Sequence, residues 1–298
     1  MKTEWIAVDW GTTALRAWAM VGGAVVDLRH SDRGMGRLQP SEFEAALLDL
    51  VSDWLGAEAT PVVACGMVGS RQGWVEAPYS RVPCKPLTTT VTAPTTDPRL
   101  RVDVISGLAQ DTPPDVMRGE ETQIAGFLAL NPSFDGILCL PGTHTKWVHM
   151  SAGEVVSFRT VMSGEVFAAI STQTVLRHSL DTQEMDREAF DAALSETMTR
   201  PETFARDLFG LRAADLLTQA PPQVARARLS GGLIGLELAA TKPYWLGQPV
   251  AIIGAPALSA LYERSLRAQG VICEQADADE VTRAGLHAAY LRIQGIAS

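Results

Sequence analysis

The residues near the start of the chain that are best suited to chemistry follow a short apolar run. Residues 5–8 lead into a loop that contains, in order, Asp9, Trp10, Gly11, Thr12 and Thr13. Backbone N–H groups and hydroxyl groups around a glycine can converge on an anion, and a carboxylate can hold Mg²⁺ through water. The pattern therefore predicts a phosphate-binding loop with Asp9 near a metal ion. The same residue types also occur in an ordinary hairpin turn.

The same order of patterns recurs in the middle of the chain. Residues 136–140 form an apolar run, and the positions after it are Pro141, Gly142, Thr143, His144, Thr145 and Lys146. Each copy has a strand pattern, a Gly-Thr loop, a second strand pattern, a glycine turn and a third strand pattern. Gly23 and Gly153 mark the equivalent turns. We therefore predict two duplicated α/β domains that face a central cleft and bring both loops to one nucleotide phosphate chain.

Two further segments lie between these loops and combine glycine with polar side chains. Residues 66–76 follow a buried strand pattern, at the strand end where α/β sheets bind ligands, and they include Gly69, Ser70, Arg71 and Trp74. Glu120 and Glu121 begin a helix pattern, where acids commonly complement the helix dipole. The first segment is either a glycine-rich connector or a ligand-binding loop. The second is either an ordinary helix start or a catalytic carboxylate pair.

The remaining periodicities predict alternating helices and strands. In the first half these are a helix over 42–55, a strand over 61–65, an irregular segment over 83–101, a strand over 102–106 and a polar loop over 107–118. In the second half they are helices over 163–178, 185–218, 257–268 and 279–293, with strands over 249–256 and 271–274. Gly285 lies inside the last helix pattern, which predicts close packing against another helix.

Composition and charge exclude several classes of function. The 298 residues include 25 Lys and Arg and 34 Asp and Glu, and the resulting net charge of −9 would repel a nucleic acid backbone. No apolar run approaches the roughly 20 residues that span a bilayer, and no signal peptide precedes the first strand pattern, so we expect a cytoplasmic enzyme without a membrane partner. The four cysteines lie far apart, which favours neither a zinc site nor a disulfide framework. A Walker A motif is absent from the sequence.

Taken together, the two Gly-Thr loops and the turn at Gly254 and Ala255 resemble the actin-like ATPase fold of sugar kinases. Three longer segments, over 64–74, 117–123 and 140–147, are similar to the 2-dehydro-3-deoxygalactonokinase family. The resemblance covers the whole chain. It implies two actin-like (ribonuclease H-like) α/β domains: an N-terminal lobe over 1–126, a second, adenosine-binding lobe over 127–278, and a terminal helix over 279–298 that packs back on the first lobe. It also implies ATP-dependent phosphorylation of 2-dehydro-3-deoxy-D-galactonate at its terminal hydroxyl.

The resemblance gives each candidate residue an expected role. Asp9 belongs to the Mg²⁺ shell, and Glu120 or Glu121 is the base that orients the attacking hydroxyl. The residues expected to bind ATP are Asp9, Gly11, Thr12, Thr13, Arg16, Gly142, Thr143, Thr145, Lys146, Gly254 and Ala255. The segment that contains Gly69, Ser70 and Trp74 is expected to bind the sugar acid, with the guanidinium fork of Arg71 on its carboxylate.

Other interpretations stay open at this point. A kinase for the gluconate-derived epimer would act on an acid that differs at one hydroxyl. A phosphohydrolase of the same fold would use a similar glutamate to activate water, and a nucleotide-sensing module would need no sugar acid pocket. Gln173 stands where a family histidine is expected. The sequence also leaves open a homodimer.

Overall fold

The protein is described by a computed structural model over residues 3–296, and its strands form three sheets. The strands are β1 (Trp5–Trp10), β2 (Leu15–Val21), β3 (Ala24–Ser31), β4 (Thr60–Gly66), β5 (Tyr79–Arg81), β6 (Thr90–Thr92), β7 (Leu100–Ile105), β8 (Gly107–Asp111), β9 (Pro114–Met117), β10 (Gly136–Leu140), β11 (Thr145–Ser151), β12 (Glu154–Val161), β13 (Val250–Gly254) and β14 (Cys273–Asp277). The helices are α1 (Phe43–Val51), α2 (Glu120–Leu130), α3 (Ser163–Gln173), α4 (Arg187–Thr199), α5 (Phe204–Thr218), α6 (Pro222–Ala240), α7 (Lys242–Trp245), α8 (Pro256–Arg267) and α9 (Ala278–Ile293).

The two larger sheets repeat one strand order, which confirms the predicted duplication. One sheet has the order β3-β2-β1-β4-β7-β6, and the other has the order β12-β11-β10-β13-β14. The first strand of each copy pairs in parallel with the strand that comes after the meander, β1 with β4 and β10 with β13. Each Gly-Thr loop thus follows the first strand of a meander in its own sheet.

Residue contacts divide the described chain into two compact units. Unit 1 comprises residues 3–135, Met150–Phe158 and 276–296, and unit 2 comprises Gly136–His149 and Arg159–Gln275. In unit 1, α1 covers one face of the sheet through Phe43, whose ring packs on that of Trp10 with centroids 5.0 Å apart. α9 covers the other face, where the rings of Trp5 and Tyr290 stack at 4.4 Å. The sheet of unit 2 packs on α4, α6 and α8.

Helices α2 and α9 pack closely through a pair of glycines in unit 1. A Cβ atom added at Gly126 would lie 1.8 Å from the carbonyl oxygen of Val281, and one at Gly285 would lie 1.9 Å from the carbonyl oxygen of Thr122. Each glycine therefore faces the backbone of the opposite helix with no room for a side chain. The close packing that Gly285 predicts is confirmed.

Two sequence predictions in unit 1 are wrong. The segment over 107–118 is a hairpin of β8 and β9 with Leu108 opposite Met117. Both strands have buried side chains, and the polar residues of the turn between them made the segment resemble a loop. The segment over 83–101 contains β6, which pairs with β7 and is built from β-branched residues that favour strands. In unit 2, the helical pattern over 185–218 is divided at Pro201 into α4 and α5.

The outermost residues of the two predicted lobes lie outside the described residues. These are residues 1 and 2 of the N-terminal lobe and residues 297 and 298 of the terminal helix. Among residues 3–296, every helix is too short or too polar to cross a membrane.

The α2–α9 contact predicts the effect of a single methyl group. Gly285→Ala should lower the free energy of unfolding by about 1–3 kcal/mol, because the new Cβ overlaps the backbone of Thr122. Gly210→Ala in α5 is the matched control, since a Cβ there meets no atom within 4 Å. Alanine at position 210 should stabilise the helix by up to about 1 kcal/mol. Urea denaturation measures both variants, and changes of the same sign would contradict the close packing of α2 and α9.

Candidate active site

The loop between β1 and β2 places two hydroxyl side chains at a strand end. β1 and β2 are antiparallel with Trp10 opposite Leu15, and the N–H of Gly11 donates to the carbonyl of Ala14 at 2.9 Å. Thr12 and Thr13 between them are exposed. The predicted strand, loop and strand are confirmed, with both hydroxyl groups open to solvent.

A second segment holds this loop in place, and sequence reasoning missed it. The N–H groups of Met35 and Gly36 donate to the carbonyls of Gly11 and Thr12, both at 2.9 Å. A Cβ at Gly34 would lie 2.3 Å from the carbonyl carbon of Thr13. The repeat of glycine at positions 34 and 36 is the sequence signal that could have identified this support.

Asp9 lies at the end of β1 in an ion pair. Its Oδ2 accepts a hydrogen bond from Nη2 of Arg16 at 2.6 Å, and Arg16 also pairs with Asp279 of α9. The Oδ1 of Asp9 faces the Sγ of Cys65 at 3.8 Å. The Asp9 side chain is 25% exposed, so one carboxylate oxygen is fixed by the guanidinium while the group remains within reach of solvent.

Two glycines bring α2 to the same strand ends. β4 is parallel to β1 with Cys65 opposite Asp9, and a Cβ at Gly66 would lie 2.7 Å from the carbonyl oxygen of Trp10. Gly119, which precedes α2, would place a Cβ 3.4 Å from the Cα of Gly66. Both glycines have positive φ angles, 92° and 104°, that other residues rarely adopt. The structure therefore brings Asp9, the segment that begins at Gly66 and the predicted carboxylate pair together within unit 1.

The two glutamates at the start of α2 have different environments. Glu121 is fully buried, and its Oε2 accepts from the N–H of Gly119 at 2.6 Å while Oε1 accepts from the hydroxyl of Thr122 at 3.1 Å. Burial, reinforced by the charge of Glu120, raises the pKa of Glu121 to about 8. Glu120 is only partly buried, and its Oε2 accepts from the N–H of Arg118 at 3.0 Å. At neutral pH Glu121 is therefore mainly protonated, and its complete burial argues against contact with a substrate.

The segment after β4 folds back on itself. The N–H of Trp74 donates to the carbonyl of Val68 at 2.9 Å, and the N–H of Ala77 donates to that of Gly69 at 3.0 Å. The Trp74 ring belongs to the core of unit 1, and its Nε1 donates to the carbonyl of Pro94 at 3.1 Å, which argues against direct contact with a substrate. Arg71 is 81% exposed, with its Nε 3.5 Å from Glu76.

The second Gly-Thr loop lies in unit 2 against the start of α3. Thr143 is exposed, and its carbonyl accepts from the N–H of Glu165 at 3.0 Å. A Cβ at Gly164 would lie 2.3 Å from the carbonyl oxygen of Gly142. The loop thus rests directly on a helix N-terminus, where backbone N–H groups favour anions.

The next two predicted phosphate contacts point away from solvent. Thr145 is fully buried, and its hydroxyl forms a hydrogen bond with that of Tyr262 at 3.0 Å. Lys146 is 5% exposed, and its Nζ donates to the hydroxyl of Thr160 at 2.8 Å. These placements support structural roles for both side chains behind the loop.

A buried carboxylate fixes the elements behind the second loop, and sequence reasoning missed it. Glu237 of α6 accepts hydrogen bonds from Nε1 of Trp147 at 2.8 Å, from the hydroxyl of Tyr262 at 2.9 Å and from the hydroxyl of Ser163. Burial raises its pKa. The network joins β11, α3, α6 and α8. A single acid among the small and apolar residues at 230–238 is the signal that could have marked it.

A cavity of about 390 Å³ opens beside the second loop in unit 2. Gly142, Thr143 and Gly164 line its polar end, and Leu258 with other apolar side chains lines its walls. At one side, the guanidinium of Arg226 lies 4.9 Å from the ring centroid of Phe167. A pocket with one polar end and apolar walls suits a nucleotide.

The predicted adenosine turn lies close to this cavity along the chain without lining it. A Cβ at Gly254 would lie 3.1 Å from the carbonyl oxygen of Pro141, so this glycine permits close packing of β13 against the second loop. The cavity wall is formed instead by the first turns of α8, at Ala257, Leu258 and Leu261. Ala255 precedes that helix and is exposed.

Within residues 3–296, no group of three or more acidic, histidine or cysteine side chains is arranged to hold a metal ion. Mg²⁺ bound together with nucleotide phosphates needs only one or two protein carboxylates, because waters and phosphates complete its shell. Asp9 meets that requirement with a partly exposed carboxylate.

Comparison with known proteins gives one consistent result. A family model for 2-keto-3-deoxy-galactonokinase matches residues 9–289. The chain is 40% identical over 294 residues to a probable 2-dehydro-3-deoxygalactonokinase of Rhizobium meliloti, covering 95% of each chain. It is 35% identical over 289 residues to the 2-dehydro-3-deoxygalactonokinase of Escherichia coli, covering 96% of this chain and 97% of that one.

A solved structure extends the likeness to three dimensions. A crystal structure from Sinorhizobium meliloti, described as a 2-dehydro-3-deoxygalactonokinase, has a TM-score of 0.90 and 37% sequence identity, covering 97% of this chain and 99% of that chain. The fold class predicted from the sequence, α/β with duplicated actin-like ATPase domains, is confirmed.

The burial of Glu121 predicts a dependence of stability on pH. The folded chain holds a proton on Glu121 up to about pH 8, whereas an unfolded chain releases it near the ordinary pKa of 4.5. The resulting stabilisation is complete below pH 4.5 and is lost as the pH rises through 8. Between pH 5 and 8, the free energy of unfolding should therefore fall further in the wild type than in Glu121→Gln, by on the order of 2–4 kcal/mol.

Guanidinium denaturation at several pH values measures this difference. Glu58→Gln removes an exposed glutamate and controls for the loss of one negative charge. Parallel pH profiles for the wild type and Glu121→Gln would show that Glu121 is ionised in the folded protein.

Proposed function

The chain belongs to the 2-keto-3-deoxy-galactonokinase family, and from this we propose how it phosphorylates 2-dehydro-3-deoxy-D-galactonate with ATP at the terminal hydroxyl. The observation that carries the proposed assignment of residues is the grouping at the ends of β1 and β4 in unit 1. Asp9 and the exposed Thr12 and Thr13 lie at the end of β1, and the start of α2 with the partly exposed Glu120 lies against the end of β4. Phosphoryl transfer needs these groups, because catalysis consists mainly of positioning and charge neutralisation.

In unit 2, we assign the adenosine and phosphates of ATP to the cavity beside the second loop. Its polar end offers the backbone at Gly142 and Gly164 and the hydroxyl of Thr143, and its apolar walls suit a base and a ribose. A Cβ at Gly142 would meet no atom within 4 Å, so the loop leaves space beside its backbone. Gly254 and Ala255 then act indirectly, by fixing β13 and the start of α8.

In unit 1, we assign Asp9 to the shell of Mg²⁺ and Gly11, Thr12 and Thr13 to phosphate oxygens. Bound Mg²⁺ would neutralise negative charge that develops on the phosphates. Arg16 already pairs with Asp9 and Asp279, so its proposed role is to orient the Asp9 carboxylate. We assign Thr145 and Lys146 structural roles behind the second loop.

We propose Glu120 as the base. It is the more exposed of the two acids, whereas Glu121 is fully buried and protonated at neutral pH. An ionised Glu120 would accept the proton of the terminal hydroxyl as its oxygen bonds to the γ-phosphorus of ATP and the bond from that phosphorus to the departing ADP breaks. Glu121 would hold the start of α2 through the N–H of Gly119.

The finer features of the family resemblance are part of the same proposal. The segment at Gly69 and Ser70 would bind the sugar acid. The return of the terminal helix to the first lobe is supported by the packing of α9 on α2 in unit 1, and the division into lobes at residues 126 and 278 stays a prediction. We place the enzyme in the cytoplasm, where ATP is available, and keep the homodimer as a prediction for sedimentation equilibrium to test.

The direct test of function is a coupled assay of ADP release. The purified chain with Mg-ATP should release ADP when 2-dehydro-3-deoxy-D-galactonate is added and should release much less with the gluconate-derived epimer. Equal rates with both acids would indicate a kinase without preference at that hydroxyl. ADP release without any acid would favour a phosphohydrolase, and nucleotide binding without turnover would favour a sensing module.

The assigned roles predict the effects of single carboxylate changes. Glu120→Gln should lower kcat by about 10²–10⁴-fold, because it removes the base and leaves the size of the side chain unchanged. Asp9→Asn should lower kcat strongly and raise the Mg²⁺ concentration needed for half-maximal rate. Glu121→Gln is the matched control and should lose less than about tenfold at pH 7, since this acid is already neutral. A larger loss in Glu121→Gln than in Glu120→Gln would reverse the assignment of the base.

A further inference from the structure

Two polar groups in the segment after β4 and before α2 are buried without partners. Among the described residues, Nε and Nη1 of Arg118 and Oγ of Ser70 have no hydrogen-bond partner and almost no exposure to solvent. Ser70 is 6% exposed. A buried N–H without an acceptor costs about 1–3 kcal/mol, and more when the group is charged. Such groups need an acceptor that the protein itself does not supply.

The rest of the Arg118 guanidinium is firmly held. Its Nη2 donates to the carbonyl of Ala77 at 2.7 Å, and its Cζ lies 4.4 Å from the ring centroid of Tyr79. Gly69 permits this position, because a Cβ there would lie 2.8 Å from Nη1. The N–H of Nε points away from Nη1, so these two unpaired donors do not form one edge. Nη2 uses one of its two hydrogens on Ala77, and the other lies beside either Nε or Nη1, where two adjacent N–H groups can bind a carboxylate in a bidentate fork. The guanidinium is therefore pre-oriented with unpaired donors.

The backbone of Arg118 connects its guanidinium to the proposed base. The N–H of Arg118 donates to Oε2 of Glu120 at 3.0 Å, so the guanidinium and the base belong to one short segment. Arg118 as a whole is only partly buried, whereas its Nε and Nη1 have almost no exposure to solvent. Ser70 follows Gly69, which lies against Nη1, so the unpaired hydroxyl of Ser70 belongs to the same segment.

We propose that Arg118 and Ser70, and not Arg71, bind the carboxylate of the sugar acid. This inference rests on the proposed function and names the residues that select an acid over a neutral sugar. The Arg71 side chain is 81% exposed and faces Glu76, so water and a neighbouring carboxylate screen its charge. Arg118 is shielded from water, where a charged hydrogen bond is stronger.

The test compares the acid with its neutral carboxamide in five proteins: the wild type, Arg118→Met, Arg118→Lys, Ser70→Ala and the matched control Arg71→Met. For each protein we would measure kcat/KM for both substrates, KM for ATP and the melting temperature. Titration calorimetry would measure binding of the acid without ATP. Arg118→Lys keeps the positive charge, and Ser70→Ala leaves the packing nearly unchanged. These two variants therefore still test the proposal if Arg118→Met fails to fold.

Arg118→Met should lower kcat/KM for the acid by about 30-fold or more, mainly through KM, and should change that for the carboxamide by less than about threefold. Arg118→Lys should recover part of the loss, since lysine keeps the charge without the planar fork. Ser70→Ala should weaken binding of the acid by about 3- to 10-fold. Arg71→Met should stay within about twofold of the wild type for both substrates.

Equal losses on the acid and the carboxamide, or a raised KM for ATP, would show that Arg118 only supports the fold and would overturn the proposal. A loss confined to the acid in Arg71→Met, with Arg118→Lys and Ser70→Ala unchanged, would assign the carboxylate to Arg71. Failure of the proposed function is distinguishable from these outcomes, because the wild type itself would then show neither turnover nor binding of the acid.

Discussion

The candidate site in unit 1 depends on the backbone contact between Gly66 and Gly119. β4 runs parallel to β1 with Cys65 opposite Asp9, so any element that meets the end of β4 also lies next to Asp9. The two glycines let the start of α2 reach that point, with a Cβ at Gly119 only 3.4 Å from the Cα of Gly66. A larger residue at position 66 would meet the carbonyl of Trp10, which would move the helix start away from Asp9. The distance between Asp9 and the start of α2 is thus set by backbone packing.

Each unit also contains a buried carboxylate behind its loop, and the two carboxylates contribute in different ways. Glu121 lies beside Glu120, and two ionised carboxylates at adjacent positions would repel each other. Burial, together with the charge of Glu120, raises the pKa of Glu121 to about 8, so Glu121 is mainly protonated at neutral pH. Glu237 instead accepts from the indole of Trp147 and the hydroxyl of Tyr262, and so fixes the elements that support the second loop. Environments that separate the pKa values of two neighbouring acids are a general way to make one of them a base.

The parts of this structure that were predictable from sequence are the local ones. The strand, Gly-Thr loop and strand at Gly11 and at Gly142 depend on alternation over a few residues, and both were found. The hairpin of β8 and β9 was missed because its strands are short, and pairing with β5, about 28 residues away along the chain, is what identifies them. The choice between Glu120 and Glu121 depends on how deeply each side chain is buried. The unpaired donors of Arg118 depend on which acceptors surround them in the fold. Neither the burial nor the surroundings can be read from neighbouring residues in the sequence.

The ion pair at Asp9 explains why the end of the chain matters to a loop near its start. Arg16 lies between Asp9 and Asp279, and its guanidinium packs over the ring of Trp18 with its central carbon 5.3 Å from the ring centroid. Asp279 in the first turn of α9 thus fixes the cation that orients Asp9, while the close glycine contact of α9 with α2 fixes the helix that carries Glu120. One helix therefore positions both acids. Arg16 engages Oδ2 of Asp9 while Oδ1 accepts a weak hydrogen bond from the thiol of Cys65 at 3.8 Å, and each carboxylate oxygen has more than one lone pair, so the group keeps further acceptor capacity towards solvent.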